Sequence, residues 1–266
     1  MQSPSSELVL RADHNGITTL ELNRPERYNA LSEELLDSLQ QHLDQIAEDT
    51  SVRCVVLAAA GKAFSAGHDL KQMRGKPRLD YYQQLFQQCA GVMQSIQQLP
   101  VPVIARVHGI ATAAGCQLVA SCDLAIASTD AQFAVSGINV GLFCSSPAVA
   151  LSRNIPTKHA FDMLVTGRFI DAQTAAQWGL INEAVAPEAL NEAVAQKVAT
   201  ILTKSPAAIR YGKSMFYKQQ QMDLASAYAY AAEVMAKNMM EEDAAEGIDA
   251  FIEKRTPNWN RSSQSF

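Results

Sequence analysis

Two turns built from small residues are the parts of this sequence best suited to chemistry. The first, residues 61–70, follows an apolar run, and small residues at 65–67 let the backbone turn tightly so that the next amides can point into a cleft. The second, residues 108–116, follows another apolar run and opens a helix, where the first N–H groups have no partner within the helix. Two such turns facing each other would supply two N–H donors to one developing oxyanion. The alternative is that both are ordinary strand-to-helix connections, in which small residues are common.

The stretch around the second turn is poor in charged side chains. Residues 101–150 contain three, Arg106, Asp123 and Asp130, where the overall 18% content predicts nine. Such a stretch is expected at the centre of the fold or in a contact between subunits, because unpaired charges are costly to bury. Chemistry there would take place in a dry site with few charges.

The composition limits the class of protein. The 266 residues carry a net charge of −5 and are 48% hydrophobic, which predicts one large domain or a core with a smaller appendage. The mild acidity disfavours a nucleic-acid partner, although a few local cations suffice to hold a small polyanion. Residues 1–7 do not resemble a signal peptide, and no apolar run is long enough to predict a membrane span or membrane partner.

The five cysteines predict neither disulfides nor a metal site. They are odd in number, scattered, and without a zinc-binding spacing: Cys54, Cys89, Cys116, Cys122 and Cys144. Reduced core thiols of this kind predict a cytoplasmic protein that holds no metal.

The elements that must position the two turns alternate between strand and helix. This alternation through the first two thirds of the chain predicts an α/β fold with parallel pairing. Ser32 is predicted to open an amphipathic helix that runs to about Asp49, with one apolar face formed by Leu35, Leu36, Leu39, Leu43 and Ile46. Beyond about residue 186 the pattern predicts only helices, over 190–202, 207–218, 224–240 and 244–253.

On the third of these helices, mostly apolar residues recur at three- and four-residue spacing and form a stripe. This stripe predicts packing into the core rather than a cofactor contact. Its members are Ala227, Tyr228, Ala231, Val234, Met235, Asn238 and Met239.

The chain resembles a known family at both turns. Segments 64–70, 109–116 and 122–123 are similar to motifs of the crotonase (enoyl-CoA hydratase/isomerase) superfamily, and so are 23–31, 166–182 and 251–255. The resemblance therefore runs from about residue 8 to 259. Two further stretches, 139–145 and 212–219, resemble one subgroup of that family.

The resemblance implies an α/β, crotonase-like spiral of βββα (ClpP/crotonase) turns over residues 1–200 with an acyl-CoA site. A helical oligomerisation region over 201–266 is implied to form trimers, often paired into hexamers. The implied ligand is a thioester of coenzyme A, which is part of the substrate, so no cofactor is expected. The thioester oxygen would lie between the backbone amides of His68 and Ala114, where most members have Gly in place of Ala114. The His68 side chain is then either a neutral residue lining the pocket or a general base.

The resemblance also carries over six residues that would bind coenzyme A: Arg27, Ala66, Leu70, Lys71, Phe251 and Lys254. Those at 66, 70 and 71 match the loop that holds the adenine end, and Lys71 is implied to pair with a phosphate. Arg27 is one position beyond the usual basic residue, which here is Glu26. The two near the C-terminus match residues that reach the coenzyme A of a neighbouring subunit. Without the resemblance, each lysine is a solvated surface charge.

The two catalytic carboxylates that hydratases of this family use are missing. Their positions fall on Gln117, which orients water but takes no proton, and on Gly137, which has no side chain. We therefore expect an intact oxyanion hole and an acid–base pair that is lost or relocated. The candidates for a relocated group are Ser136, Asn139, Cys144 and Ser145. Cys144 is either a proton shuttle or a buried thiol.

Three hypotheses for the function remain. The first is an acyl-CoA enzyme of the hydratase/isomerase family with weak or altered lyase activity. The second is a decarboxylase, or another enolate-forming enzyme that needs no carboxylate pair. The third is a non-catalytic acyl-CoA binder or assembly protein. The first two predict turnover of a thioester, and the third predicts binding without turnover.

Overall fold

A computed structural model describes residues 7–259 of the chain. Its strands are β1 (Val9–His14), β2 (Ile17–Leu22), β3 (Cys54–Ala59), β4 (Ala63–Ser65), β5 (Val103–Val107), β6 (Ile110–Thr112), β7 (Leu124–Ser128), β8 (Gln132–Ala134), β9 (Ile170–Asp171) and β10 (Glu183–Val185). Its helices are α1 (Glu33–Glu48), α2 (Leu70–Gly75), α3 (Leu79–Gln98), α4 (Ala114–Ser121), α5 (Ser145–Asn154), α6 (Thr157–Thr166), α7 (Ala172–Trp178), α8 (Leu190–Leu202), α9 (Pro206–Gln219), α10 (Leu224–Met239) and α11 (Glu242–Glu253). Short 3₁₀ turns cover Pro25–Arg27, Ser136–Val140 and Pro187–Ala189.

The strands form two sheets that the chain visits in turn. The larger has the order β1-β2-β3-β5-β7-β10 and is parallel apart from the β1–β2 hairpin. The smaller has the order β4-β6-β8-β9, with an antiparallel pair only at β8–β9. The pairs β3–β4, β5–β6 and β7–β8 each place one strand in the larger sheet and the next in the smaller, before the chain enters helices. This repetition gives the predicted crotonase-like α/β spiral.

The larger sheet is covered on both faces, as parallel sheets require. All six residues of β3 are buried, and alternate ones face opposite sides. Val55 and Leu57 lie in the main core, while Cys54 and Val56 pack with Val194 and other residues of α8. The uninterrupted apolar sequence of this strand follows from its two covered faces.

The amphipathic pattern predicted α1 correctly. The Ser32 side chain accepts a hydrogen bond from the Leu35 amide at 3.3 Å and so caps the helix, and the five predicted apolar residues are buried. The helices predicted after residue 186 are also present, with ends displaced by one or two residues. The strands β1, β4, β6, β9 and β10 and the helices α2, α5, α6 and α7 were not predicted, because they are short or have a weak apolar period.

The prediction that the stripe on α10 packs into the core is wrong within the described chain. No residue of this helix is buried, and Tyr228 and Met235 are 72% and 71% exposed. The helix packs on α9 and presents much of its apolar surface outward. The three- and four-residue spacing specifies an apolar face but not what covers it.

A buried ion pair attaches α9 to the sheet. Lys213 Nζ donates to Asp123 Oδ2 at 2.7 Å and to the carbonyl oxygens of Ile96 and Val101 at 2.9 and 2.8 Å, which uses all three of its donors. Tyr217 donates its hydroxyl to the other Asp123 oxygen at 2.8 Å. These contacts cross residue 200, where the boundary between a core and a helical region is predicted; that division stays a prediction.

Candidate active site

The two turns identified in the sequence face each other at the ends of β4 and β6, which pair in parallel. A β-carbon on Gly115 would stand 2.3 Å from the Ser65 carbonyl oxygen of the first turn. A β-carbon on Gly67 would stand 2.8 Å from Ala113 Cβ and 3.1 Å from the Ala114 nitrogen of the second turn. Each turn therefore approaches the other at a glycine where no side chain fits, and Gly67 also has a φ of +84° that favours glycine.

The backbone amides of His68 and Ala114 are left without partners by this arrangement. A parallel bridge joins Leu31 to His68, but it uses the Gly67 carbonyl and the Asp69 amide, so the His68 N–H is not engaged. Ala114 is the first residue of α4, where an N–H has no acceptor within the helix. No acceptor for either amide lies among residues 7–259, and both residues line one cavity. Two N–H donors without partners in one cavity are what the stabilisation of an oxyanion would require.

A buried asparagine fixes the backbone of the first turn. Asn29 donates from Nδ2 to the carbonyl oxygens of Ala60 and Ala63, each at 2.8 Å. Its own carbonyl accepts the Ser65 hydroxyl at 2.9 Å, and Ser65 Oγ accepts the Gly67 amide at 3.3 Å. Asn29 and Ser65 are fully buried, so these bonds are shielded from water. They hold the chain directly before the His68 amide.

An ion pair fixes the segment directly after that amide. Asp69 caps α2 by accepting from the Lys71 and Gln72 amides at 3.0 and 3.2 Å, and its other oxygen accepts from Arg24 Nη1 at 2.9 Å. These interactions hold the pKa of the Asp69 carboxyl below its usual value despite partial burial. The N-terminal segment with Arg24 and Asn29, recognised in the sequence only as a signature, thus positions the first turn.

The second turn contains a strained residue that the sequence reasoning missed. Ala113 has φ 51° and ψ −121°, a region that residues with a β-carbon rarely adopt. The helix α4 therefore begins at the next residue, Ala114, which lines the cavity. The hydrogen bond from the Ala113 amide to the Ala134 carbonyl at 3.0 Å helps to hold this conformation.

The cavity beside the two amides has a volume of about 290 Å³. One wall comes from the two turns and from α2 and α3, and the other from residues 136–147. The side chains and backbone that line it belong to Ala66, His68, Leu70, Met73, Phe86, Ala113, Ala114, Ser136, Gly137, Val140, Leu142, Phe143, Cys144, Ser145, Ser146 and Pro147. No Asp, Glu, Lys or Arg is among them.

The two titratable groups in this cavity are held neutral. Burial lowers the pKa of His68, a shift that a hydrogen bond to the Leu31 backbone partly offsets, and the ring packs edge-on against Phe86 at 5.4 Å. Its Nδ1 is buried and has no partner in the described chain. Burial raises the pKa of the Cys144 thiol, so the thiolate is disfavoured. The cavity is therefore uncharged at neutral pH.

Neither of the two positions at which the resemblance implies a carboxylate offers an acid or a base. Gln117 is buried in α4, the helix that begins at Ala114, and its Oε1 lacks a partner among the described residues. Gly137 lines the cavity, but a β-carbon there would stand 2.5 Å from the Leu142 carbonyl oxygen and 2.7 Å from Cys144 Sγ. The second position is therefore closed by the neighbouring loop as well as being without a side chain.

The other predicted site residues are only partly brought together. Ser136 and Ser145 line the cavity with Cys144, whereas Asn139 lies outside it, beside Gly167. Of the six residues implied to bind coenzyme A, Ala66 and Leu70 line the cavity, and the rest are exposed and outside it: Arg27, Lys71, Phe251 and Lys254.

Within residues 7–259, no group of three metal-ligating side chains is suitably placed for a metal ion. Over the same residues, no helix combines the length and apolar character needed to cross a membrane.

The spiral fold is that of a protein of the crotonase class. The family model for enoyl-CoA hydratase/isomerase matches residues 12–262, and the chain belongs to this family.

The subgroup resemblance is also confirmed. Enoyl-CoA hydratase domain-containing protein 3 of Rattus norvegicus is 46% identical over 97% of this chain and 86% of the relative. The crystal structure of the human protein of that name is 43% identical, covers 95% of this chain and all of that one, and superposes with a TM-score of 0.92. The crystal structure of an enoyl-CoA hydratase of Mycobacterium smegmatis is 58% identical, covers 96% of this chain and 99% of that one, and has a TM-score of 0.94.

The predicted cytoplasmic location is contradicted by these relatives. The rat, mouse, frog and human proteins of the subgroup are all named as mitochondrial. The prediction was based on unpaired cysteines, and the structure has all five as free, buried thiols. Buried reduced thiols reflect core packing, so they do not distinguish one reducing compartment from another.

Proposed function

We propose that this protein binds acyl thioesters of coenzyme A and stabilises the thioester enolate with the backbone amides of His68 and Ala114. The observation that carries the proposal is the pair of unpartnered N–H groups lining one uncharged cavity. In such a site, preorganised donors stabilise developing negative charge more strongly than water does. Membership of the enoyl-CoA hydratase/isomerase family supports the choice of ligand.

Hydration by a carboxylate pair does not fit this cavity. Addition of water to a 2-enoyl thioester needs a base for the water and an acid for the α-carbon. Gln117 exchanges no proton and Gly137 has no side chain. Burial lowers the pKa of His68 and raises that of Cys144, which makes His68 a weaker base and Cys144 a weaker acid. Hydratase activity is therefore proposed to be weak or altered, with polarisation of the thioester retained.

The coenzyme A moiety is proposed to lie outside the cavity, along the exposed first turn. Lys71 and Arg27 are exposed cations at that end and are free to pair with phosphates. Phe251 and Lys254 are proposed to reach the ligand of a neighbouring subunit in a trimer or hexamer. The exposure of apolar side chains on the last two helices and at the turn between them supports such an assembly: Leu224, Tyr228, Met235, Met239, Met240, Ile248, Phe251 and Ile252.

The test combines binding with turnover. Acetyl-CoA should raise the thermal midpoint of unfolding, whereas crotonyl-CoA and longer 2-enoyl-CoAs should be hydrated far more slowly than by a hydratase with two carboxylates. Gln117→Glu should raise the hydration rate, more so at higher pH, because burial raises the pKa of the new carboxyl. Gln117→Leu is the matched control and should give no gain. Wild-type hydration as fast as that of a two-carboxylate hydratase, or no shift with any acyl-CoA, contradicts the proposal.

Decarboxylation is a second candidate, because an uncharged cavity with an oxyanion-binding pair needs no base for that reaction. Release of CO₂ from malonyl-type CoAs in the same assay would favour it over hydration. Binding of acyl-CoAs with no turnover of either set would instead favour a non-catalytic binder.

A further inference from the structure

The acyl end of the ligand can be specified from the cavity wall formed by residues 140–147. We infer that this wall selects acyl groups with an uncharged aliphatic tail and rejects those with a carboxylate at the far end of the tail, as distinct from a carboxylate on the α-carbon next to the thioester. The inference rests on the proposed function, since it takes the thioester oxygen to lie at the amides of His68 and Ala114. It concerns the far end of the acyl group, which that function does not specify.

The wall is apolar where it meets solvent. Val140, Leu142 and Phe143 line the cavity and are also 65%, 43% and 40% exposed, so they form an apolar rim that is continuous with the interior. Met73 and Phe86 line the opposite wall. An aliphatic chain lying between these walls would cover apolar surface that is otherwise in contact with water, and each buried methylene would strengthen binding.

The start of α5 also borders the cavity, but it is poorly equipped to hold an anion. The Ser145 amide donates to the Phe143 carbonyl at 2.8 Å, and the Ala148 amide donates to the Cys144 carbonyl at 2.9 Å. Pro147 has no N–H, so Ser146 has the one amide left in this turn. An anion site at the start of a helix uses free backbone N–H groups together with the positive end of the helix dipole. At the start of α5 most of these N–H groups are already occupied.

The hydroxyls and titratable groups of the cavity are also poorly suited to bind a carboxylate. Ser136 Oγ is paired with Thr112 Oγ1 at 2.8 Å, and the Ser145 hydroxyl is directed at the Phe143 carbonyl. With no Lys or Arg in the lining and His68 held neutral by burial, a carboxylate entering the cavity would lose its hydration without gaining a cation. An aliphatic tail has no such hydration to lose when it enters the cavity.

The size of the cavity sets an upper limit on the chain. A cavity of about 290 Å³ is small enough that only the first part of a long acyl chain can be enclosed. Affinity should therefore rise along the series butyryl-, hexanoyl- and octanoyl-CoA by about fourfold per methylene, which corresponds to about 0.8 kcal/mol. It should level off once the tail passes the rim at Val140 and Phe143.

The experiment measures dissociation constants of saturated acyl-CoAs by titration calorimetry with the full chain. Adipoyl-CoA, which has the carbon number of hexanoyl-CoA but ends in a carboxylate, should bind at least tenfold more weakly than hexanoyl-CoA. Phe143→Lys adds a cation at the rim and should reverse this preference, and Leu142→Lys provides a second variant if the first does not fold. Phe161→Lys is the matched control, because Phe161 is an exposed phenylalanine on α6 outside the cavity.

Each outcome separates the inference from the function on which it rests. Equal or tighter binding of adipoyl-CoA by the wild type, or no increase in affinity from butyryl- to octanoyl-CoA, overturns the inference while leaving acyl-CoA binding intact. A reversal by Phe161→Lys as large as that by Phe143→Lys also overturns it, because the charge would then act from anywhere on the surface. If neither acetyl-CoA nor any longer acyl-CoA binds, the proposed function itself fails.

Discussion

Gly137 lies so close to Cys144 that a β-carbon at position 137 would stand 2.7 Å from the Cys144 sulfur. At the position where the resemblance implies the second carboxylate of a hydratase, this chain therefore has no space for a side chain. A carboxylate cannot be restored there without moving the loop, since the Leu142 carbonyl oxygen is as near as 2.5 Å. Gln117→Glu alone is consequently the substitution that can test the acid–base deficit.

Gly137→Ala should destabilise the fold and shrink the cavity, because backbone atoms at Leu142 cannot yield as a flexible side chain would. We expect a loss of about 1–3 kcal/mol in the free energy of unfolding, measured by urea titration. Gly212→Ala is the control: it lies within α9 with no atom near its β-carbon position, and should stabilise by about 0.5–1 kcal/mol. A neutral effect of Gly137→Ala would show that the 137–144 loop is not closed as described.

Ser65→Ala should weaken polarisation of a bound thioester with little change in its affinity. The substitution removes the hydroxyl that joins the Asn29 carbonyl to the Gly67 amide, so the His68 amide loses its support. In infrared spectra, the shift of the bound thioester carbonyl should be smaller than in the wild type. Ser128→Ala removes another buried hydroxyl, one that accepts from the Asp130 amide, and should leave the shift unchanged. Identical carbonyl shifts in Ser65→Ala and Ser128→Ala would show that Ser65 does not position the His68 amide.

Acidification should destabilise the fold partly through His68. Below the ordinary histidine value of about 6.5 the unfolded chain takes up a proton, while the folded chain does not until the pH falls below its own lowered pKa. Stability is therefore lost as the pH falls through that window. His108 contributes in the same direction, since burial lowers its pKa too. Urea titrations at pH 7.5 and 5.5 should show a smaller loss for His68→Gln than for the wild type, whereas His14→Gln, at an exposed position, should match the wild type.

Lys213→Met should be one of the most destabilising substitutions in the C-terminal part of the chain. It leaves Asp123 partly buried without its cation and two carbonyl oxygens without a donor, a loss of about 3–5 kcal/mol. Lys237→Met breaks the exposed pair with Glu233 on α10 and should cost no more than about 0.5 kcal/mol. Both are measured by urea titration at one protein concentration, because oligomerisation would stabilise the fold. Equal small losses would show that the buried pair does not hold α9 in place.

The local features of this fold could be predicted from the sequence because they depend on near neighbours. The Ser32 cap, the apolar face of α1 and the buried run of β3 are each written within one stretch of chain. The two small-residue turns were identified in the same way, and the family resemblance implied that they face each other.

The features that decide the chemistry depend on contacts between distant residues. The Gly137–Cys144 approach and the pairing of Lys213 with Asp123 have no signature in composition or period. The strained backbone of Ala113 was also missed, because a propensity argument assigns alanine to the helix and only the fold forces φ to 51°. The apolar face of α10 was predicted to pack into the core but points outward. Periodicity identifies an apolar face and does not identify what covers it.

The central claim is that the amides of His68 and Ala114 bind the thioester oxygen. It is tested most directly by infrared difference spectroscopy of butyryl-CoA labelled with ¹³C at the thioester carbonyl, bound to the wild-type protein. Two preorganised donors in an uncharged cavity should polarise the carbonyl more than water does, so its stretching band should move to lower frequency on binding. A band that stays at its frequency in water, or moves higher, while calorimetry shows that the ligand is bound, would contradict the account.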